Sequence, residues 1–232
     1  DMDRRLDLTA LSDYLSYRHT LGERTFYQDV LSLEPGCHLV IEGNNQSIQR
    51  YWELPIIGDK QDPGEEEALA EFSELFESSV RYRMVADVPV GAFLSGGLDS
   101  SAVAATMASM ASGQIKTFTI GYPGHEGYNE FGYASAVAQA YDTDHQEVTL
   151  NGRDVIDLVP KLVAYKDAPL AATHEVALYV LSRELSKQVT VVLSGEGADE
   201  LLGGYGRIFR SAYDVQRLAS GRPVGALAEN LQ

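Results

Sequence analysis

The sequence predicts an α/β fold, a parallel sheet flanked by helices, over residues 58–232, with a segment of different character, 1–57, ahead of it. Three observations predict it. Two apolar runs, Val88–Leu94 and Thr190–Leu193, lack the polar alternation of a half-exposed strand and read as strands buried on both faces. Stretches of helical spacing separate these and other short runs, so strand and helix alternate. Each run also stops abruptly at a Ser-Gly turn followed by acids: Ser95-Gly96-Gly97 before Asp99, and Ser194-Gly195 before Glu196 and Asp199. Such turns sit where parallel sheets take their ligands, beyond the carboxyl ends of the strands.

The first segment reads as a short helix, Leu8–Tyr17, with Leu8, Leu11 and Leu15 on one face, followed by strand-like pieces. These are Thr25–Tyr27, His38–Ile41 and Ser47–Trp52, with turns at Pro35-Gly36 and Gly43-Asn44-Asn45. The last two pieces form a hairpin too small to bury a core by itself. Asp62-Pro63 marks a boundary, with Asp62 as N-cap, Pro63 in the first helical position and Glu65 three residues past the cap. The helix it opens runs to Arg83 and turns Leu69, Phe72, Phe76 and Val80 inward. Beyond Val88–Leu94 come helix Asp99–Ala111, strand Lys116–Gly121, helix Tyr128–Tyr141 and strand His145–Leu150. Helices Val155–Ala164 and Glu175–Leu185 then lead to strand Thr190–Leu193.

Composition narrows the function classes. Apolar content of 44% and charged content of 22% are those of a globular protein with a real core. A net charge of −16 argues against general affinity for nucleic acid or an anionic membrane. Cys37 is the single cysteine, so neither a disulfide framework nor a cysteine zinc site can be built within the chain. No apolar run approaches the roughly 20 residues needed to cross a bilayer. Asp1–Arg5 does not open a signal peptide, and the chain starts without Met, as a cut fragment does. The expectation is a cytoplasmic enzyme.

The stretch Val88–Ser101, VPVGAFLSGGLDSS, carries the first chemistry. Strand, glycine turn and helix together aim free backbone N–H groups at an anion. The hydroxyls of Ser95, Ser100 and Ser101 can donate to phosphate oxygens, and Asp99 can hold Mg²⁺. The spacing and lysine of a Walker A loop are absent. The stretch resembles the SGGxDS loop of PP-loop ATP pyrophosphatases, in which the loop grips the β/γ pyrophosphate while chemistry occurs at the α-phosphate. The second stretch, Leu193–Tyr205 (LSGEGADELLGGY), repeats the layout with a carboxylate added. Alone it also reads as an acidic surface turn. If the two strands are neighbours, both loops open on one crevice, and Asp99 and Asp199 can share one Mg²⁺. Glu196 repels phosphate, so its role there is general base catalysis.

With both loops in view, the chain resembles the glutamine-dependent asparagine synthetase family. The motifs are VPVGAFLSGGLDSS, FTIGY, the Tyr128–Val148 segment, LYVLSREL and VVLSGEGADELLGGY, over about 50 to 213. LEPGCHLVIEG and RYWEL are similar to the end of that family's N-terminal glutaminase domain. The resemblance implies a PP-loop (adenine nucleotide alpha hydrolase-like) synthetase domain over 58–232 and a short remnant of an Ntn-type glutaminase domain over 1–57. It implies ATP and Mg²⁺ as cofactors. A carboxylate, the aspartate side chain in family members, is adenylated with release of pyrophosphate, and ammonia derived from glutamine then displaces AMP. By the same resemblance Ser95, Gly96, Gly97, Asp99 and Ser100 hold the pyrophosphate, and Leu94, Ile120 and Gly195 frame the adenosine. Asp99 and Asp199 bind Mg²⁺, and Glu196 takes the proton from attacking ammonia. Implied partners are small-molecule substrates, the missing glutaminase portion of the same polypeptide and a second copy in a homodimer, with neither nucleic acid nor membrane.

Departures from the family pattern leave alternatives open. Residue 1 is Asp where the glutaminase uses an N-terminal cysteine, and Cys37 reads as structural. No lysine follows Lys187, although the family carries a phosphate-side lysine further on; Arg207 and Arg210 are nearby cations. In the segment Lys166–Glu175 only Thr173 matches the family's acceptor pocket. The acceptor is therefore aspartate or another carboxylate amidated by a relative, and a non-catalytic nucleotide-binding relative is the reading from another class. His125 and His145 read as surface or strand-end residues rather than ligands.

Overall fold

The chain divides into two compact units, 1–70 with 152–178 and 71–151 with the residues from 179 onward. The computed structural model describes residues 4–54, 63–172 and 174–205. In chain order the elements are α1 (Leu8–Tyr17), β1 (Cys37–Glu42), β2 (Asn45–Arg50), α2 (Glu65–Arg83), β3 (Val90–Phe93), α3 (Leu98–Met110) and β4 (Lys116–Gly121). There follow α4 (Phe131–Ala140), β5 (Asp144–Thr149), α5 (Gly152–Lys166), α6 (His174–Leu185), β6 (Val191–Leu193) and α7 (Ala198–Leu202).

In the first unit α1 has the expected span, fixed by a cap the hydrophobic spacing does not reveal. Asp7 Oδ1 accepts the N–H groups of Thr9 and Ala10 at 2.8 and 3.1 Å. β1 and β2 form the expected antiparallel hairpin, from Glu42↔Asn45 out to Cys37↔Arg50. Its strand ends at Arg50 rather than Trp52, because the N–H groups of Tyr51 and Trp52 both turn to the Gly36 carbonyl. Thr25–Tyr27 is not a strand: that region makes only the isolated bridges Leu6↔Tyr27 and Arg24↔Leu31. Cys37 opens β1 as a half-buried free thiol.

α2 starts at Glu65, not at Pro63. Gly64 takes φ +82, which no helical residue adopts, while its carbonyl accepts Ala68 N–H. The expected cap Asp62 lies outside the described residues. Of the four apolar positions expected to face inward, Val80 is buried and Phe76 packs beside it, whereas Leu69 and Phe72 stay exposed.

The second unit is built on a four-stranded parallel sheet in the order β5-β4-β3-β6. Its strands bury side chains on alternate faces. On one face Ala92, Leu94 and Leu193 pack with Val103, Ala104 and Met107 of α3 and with Ala134 and Ala138 of α4. On the other, Phe118 packs with Leu181, Leu185 and Val189, supported by Phe93, Ile120 and Val192. Full burial of side chains such as Phe118 and Met107 stabilises by about 1.5–3 kcal/mol each. The sheet is thus covered on both faces, as the apolar runs required.

Two boundaries move for local reasons. β3 is confined to Val90–Phe93, and the Pro89 carbonyl just before it accepts from Thr190 and Val191. The helix expected from Tyr128 begins only at Phe131. Asn129 instead closes a turn on Tyr122, its Nδ2 donating to the Tyr122 carbonyl at 3.0 Å and its Oδ1 accepting the Tyr122 N–H.

Candidate functional site

Strand order places the two loops. The chain runs outward from β3 to β4 and β5, then returns to lay β6 on the other side of β3, with Ala92 opposite Leu193. The order reverses between β3 and β6, and open parallel sheets bind their ligands beyond the carboxyl ends of the strands at such a switch point. Both Ser-Gly loops leave from those two carboxyl ends.

The first loop is organised by its own hydroxyls. Ser95 Oγ and Ser100 Oγ are 2.9 Å apart, Ser100 Oγ accepts the Ser95 N–H at 3.2 Å, and Ser95 Oγ accepts the Gly97 N–H at 3.2 Å. Gly97 is the N-cap of α3, and no side chain caps the helix there. The first-turn N–H groups are therefore left to an external acceptor, at the end of the helix where its dipole favours an anion. Ser101 Oγ is buried and has no partner among the described residues. Gly96 is at φ +84 and lies against the start of α4, where a Cβ would stand 2.4 Å from Tyr133 Cβ and 2.5 Å from Ala134 N. Only glycine fits both the conformation and the space.

The second loop lies on the first. A Cβ on Gly195 would meet Ser100 N at 2.8 Å and Asp99 Cβ at 2.9 Å, so the absence of a side chain is what lets the loops touch. Asp99 and Asp199 stand half-buried in the first turns of α3 and α7, and Glu196 is exposed between Gly195 and Gly197. The Glu196 N–H reaches Ser194 Oγ at 3.4 Å. Among the described residues no ion pair engages Asp99, Glu196 or Asp199, and no group of three or more His, Cys, Asp or Glu is gathered for a metal. A Mg²⁺ that arrives with phosphates needs no such cage, because one or two carboxylates complete its shell. The bare glycine turns, the paired hydroxyls and the two half-buried acids suit a cation–phosphate ligand.

Two residues expected to frame the adenosine lie at the carboxyl ends of β3 and β4. Leu94 has 0% of its surface exposed; its N–H donates to the Phe118 carbonyl and its own carbonyl accepts Thr119 Oγ1. The strand's alternation turns its side chain into the core. Ile120 is at the carboxyl end of β4, packed with the Phe118 cluster. Thr173, Arg207 and Arg210 lie outside the described residues.

The sequence did not single out three neighbours of these loops. Thr119 fastens β4 to the Leu94 carbonyl, and Tyr133 closes on Gly96. Tyr205 Oη donates to Glu200 Oε1 at 2.7 Å. That bond, then burial and the charges of Glu200, Asp199 and Glu196, push the Tyr205 phenol up to about 12. A hydroxyl in the middle of the strand KTFTIG was a usable signal for Thr119; the two tyrosines offered none.

A further concavity lies in the first unit. It is of about 1170 Å³, with apolar walls that include Leu11, Phe26, Val159 and Val163. The loop along it is pinned by Tyr14 Oη donating to the Leu170 carbonyl at 2.8 Å and by Glu175, which accepts the N–H groups of Ala171 and Ala172. A hydrogen bond from Lys166 outweighs the opposing effect of burial and, with the two backbone bonds and the Lys166 charge, holds the Glu175 carboxyl below its usual range.

A doubly wound parallel sheet with an uncapped helix start and acids at its switch point defines an anion-accepting α/β protein of the ligand-at-the-carboxyl-edge kind. Residues 71–231 match the asparagine synthase family, and the chain belongs to it. It is 37% identical over 210 residues to a protein of Mycobacterium tuberculosis named putative asparagine synthetase [glutamine-hydrolyzing], covering 88% of this chain and 31% of that one. It is 32% identical to asparagine synthetase [glutamine-hydrolyzing] 1 of Bacillus subtilis, covering 94% and 34%. A putative asparagine synthetase [glutamine-hydrolyzing] 2 of Methanocaldococcus jannaschii is 36% identical, covering 78% and 35%. The chain thus spans about a third of the length of these relatives.

Proposed function

We propose that the crevice between the β3 and β6 loops binds ATP and that the chain is the nucleotide-using part of an ATP-dependent amide ligase. The observation that carries this reading is the seating of Gly195 on Asp99 and Ser100, which makes one site of two loops. The first-turn N–H groups of α3 and the hydroxyls of Ser95 and Ser100 grip the β- and γ-phosphates, leaving the α-phosphate open toward the second loop. Gly195 and the carboxyl end of β4 at Ile120 border the adenosine. Asp99 and Asp199 would hold Mg²⁺, which when bound neutralises charge on the departing pyrophosphate.

A carboxylate substrate attacks the α-phosphate, the bond to the bridging oxygen of pyrophosphate breaks, and an acyl-adenylate forms. Ammonia then attacks the acyl carbon and AMP leaves. The ammonium proton passes to Glu196, which is exposed, lies on the second loop and carries no ion pair among the described residues. Aspartate is the acceptor that the relatives' names suggest, and glutamine would be the ammonia source through a part of the polypeptide like the one the relatives carry beyond this chain. Segment 1–57 reads as the end of that glutaminase part, and 58–232 as the synthetase part.

The test is acceptor-dependent exchange of labelled pyrophosphate into ATP with Mg²⁺ present. A set of carboxylates is screened, aspartate first. Release of AMP and pyrophosphate supports the reading; release of ADP and phosphate overturns it.

A further inference from the structure

Three carboxylates, Glu196, Asp199 and Glu200, crowd the second loop, and among the described residues the one side-chain donor that reaches any of them is Tyr205. Its bond to Glu200 is of the charge-assisted kind, which is shorter and stronger than a neutral one. The chain returns to make it through Gly203, at φ +70, and Gly204. Gly204 donates its N–H to the Asp199 carbonyl at 3.1 Å, and a Cβ on Gly204 would stand 1.7 Å from Asp199 Oδ1. One turn therefore lays the Asp199 carboxylate on a bare glycine and ties the neighbouring carboxylate to a phenol.

We infer that Tyr205 is a positioning residue, which holds Glu200 out of the nucleotide crevice so that Asp199 alone of the two adjacent acids meets the cation and phosphates. This rests on the proposed role of Asp199. Glu200 directly follows Asp199 in α7 and its side chain is one methylene longer, so a freed Glu200 carboxylate sets a second negative charge beside the phosphates. The hydrogen bond removes that competitor without removing the residue.

The experiment uses the full chain and isothermal titration with Mg²⁺ and α,β-methylene-ATP, which reads binding without turnover. Tyr205→Phe deletes the donor and should weaken binding about tenfold, the scale of one hydrogen bond to a charged group. Glu200→Gln keeps an acceptor for the phenol and should bind as the wild type does. The double variant Tyr205→Phe/Glu200→Gln should recover most of the loss, since no charge is left to restrain. Tyr205→Leu is a second donor-free variant; it should lose affinity as Tyr205→Phe does, and it carries the test should the phenylalanine variant not fold. Wild-type affinity in Tyr205→Phe or in Tyr205→Leu, or no recovery in the double variant, overturns the inference. A wild-type chain that binds no nucleotide overturns the ATP-site reading beneath it and the inference with it.

Discussion

Gly195 rests on Asp99: a side-chain carbon on the glycine would stand 2.9 Å from both the Asp99 carbonyl carbon and Asp99 Cβ. Residues 96 positions apart in sequence are thus in contact through backbone, and the position tolerates no larger residue. Gly195→Ala should push α7 and its acids away from α3. Overpacking of this kind costs about 1–3 kcal/mol. A lowered urea midpoint together with lost pyrophosphate exchange is expected, and an unchanged exchange rate would separate the two loops functionally.

Gly96 and Gly97 are adjacent but predict opposite results. Gly96→Ala must hold a φ of +84 and drive a methyl into Tyr133 and Ala134, so a loss of about 1–3 kcal/mol is expected. Gly97 has φ −69 and extended ψ, and an added Cβ would meet only Ser95 Oγ at 3.3 Å. Gly97→Ala should therefore fold nearly as well as wild type and lose nucleotide affinity through crowding at the helix start. Denaturation curves of the pair decide it; equal destabilisation by both would contradict the described loop.

The sequence made much of this loop legible because its signals are local. Apolar runs ended by Ser-Gly, acids one turn later and helical spacing afterwards all lie within fifteen or so residues, and the spans of α1 and β4 followed from pattern alone. The adjacency of β3 and β6 was not legible: it depends on pairing between strands separated by two further strands and four helices. The burial of Leu94 was legible, since it closes an apolar run read as a strand buried on both faces. Phe131 displaced Tyr128 as the helix start because one Asn side chain bonds backwards, which hydrophobic spacing does not register.

The acids should divide by reaction step. Asp99→Asn and Asp199→Asn each remove a charge from the pyrophosphate side, and both should cut acceptor-dependent exchange roughly a hundredfold, the scale of one lost electrostatic stabiliser. Glu196→Gln should leave exchange near the wild-type rate while amide formation from added ammonium falls roughly a hundredfold or more. Parallel exchange and amide assays read the two steps, and equal losses in both would remove Glu196 from the base role.

His145 makes the sheet sensitive to acid at the end opposite the crevice. Its Nδ1 is 2.9 Å from Thr117 Oγ1, which in turn is 2.8 Å from Thr143 Oγ1, and its Nε2 is buried without a partner among the described residues. Burial lowers its pKa below the usual 6.5, against a smaller opposing pull from the Glu147 charge. A histidine held neutral in the folded state binds fewer protons there than when unfolded, so stability rises with pH. The contribution is complete above 6.5, where the unfolded histidine is also neutral, and is lost as pH falls toward the depressed folded value. Urea midpoints measured on both sides of pH 6.5 should fall on the acid side, and an NMR titration of the His145 ring should give a value below that of a free histidine. A ring that titrates at or above the free value would mean that Nε2 meets water or an acid, and the acid-side loss of stability would then need another source.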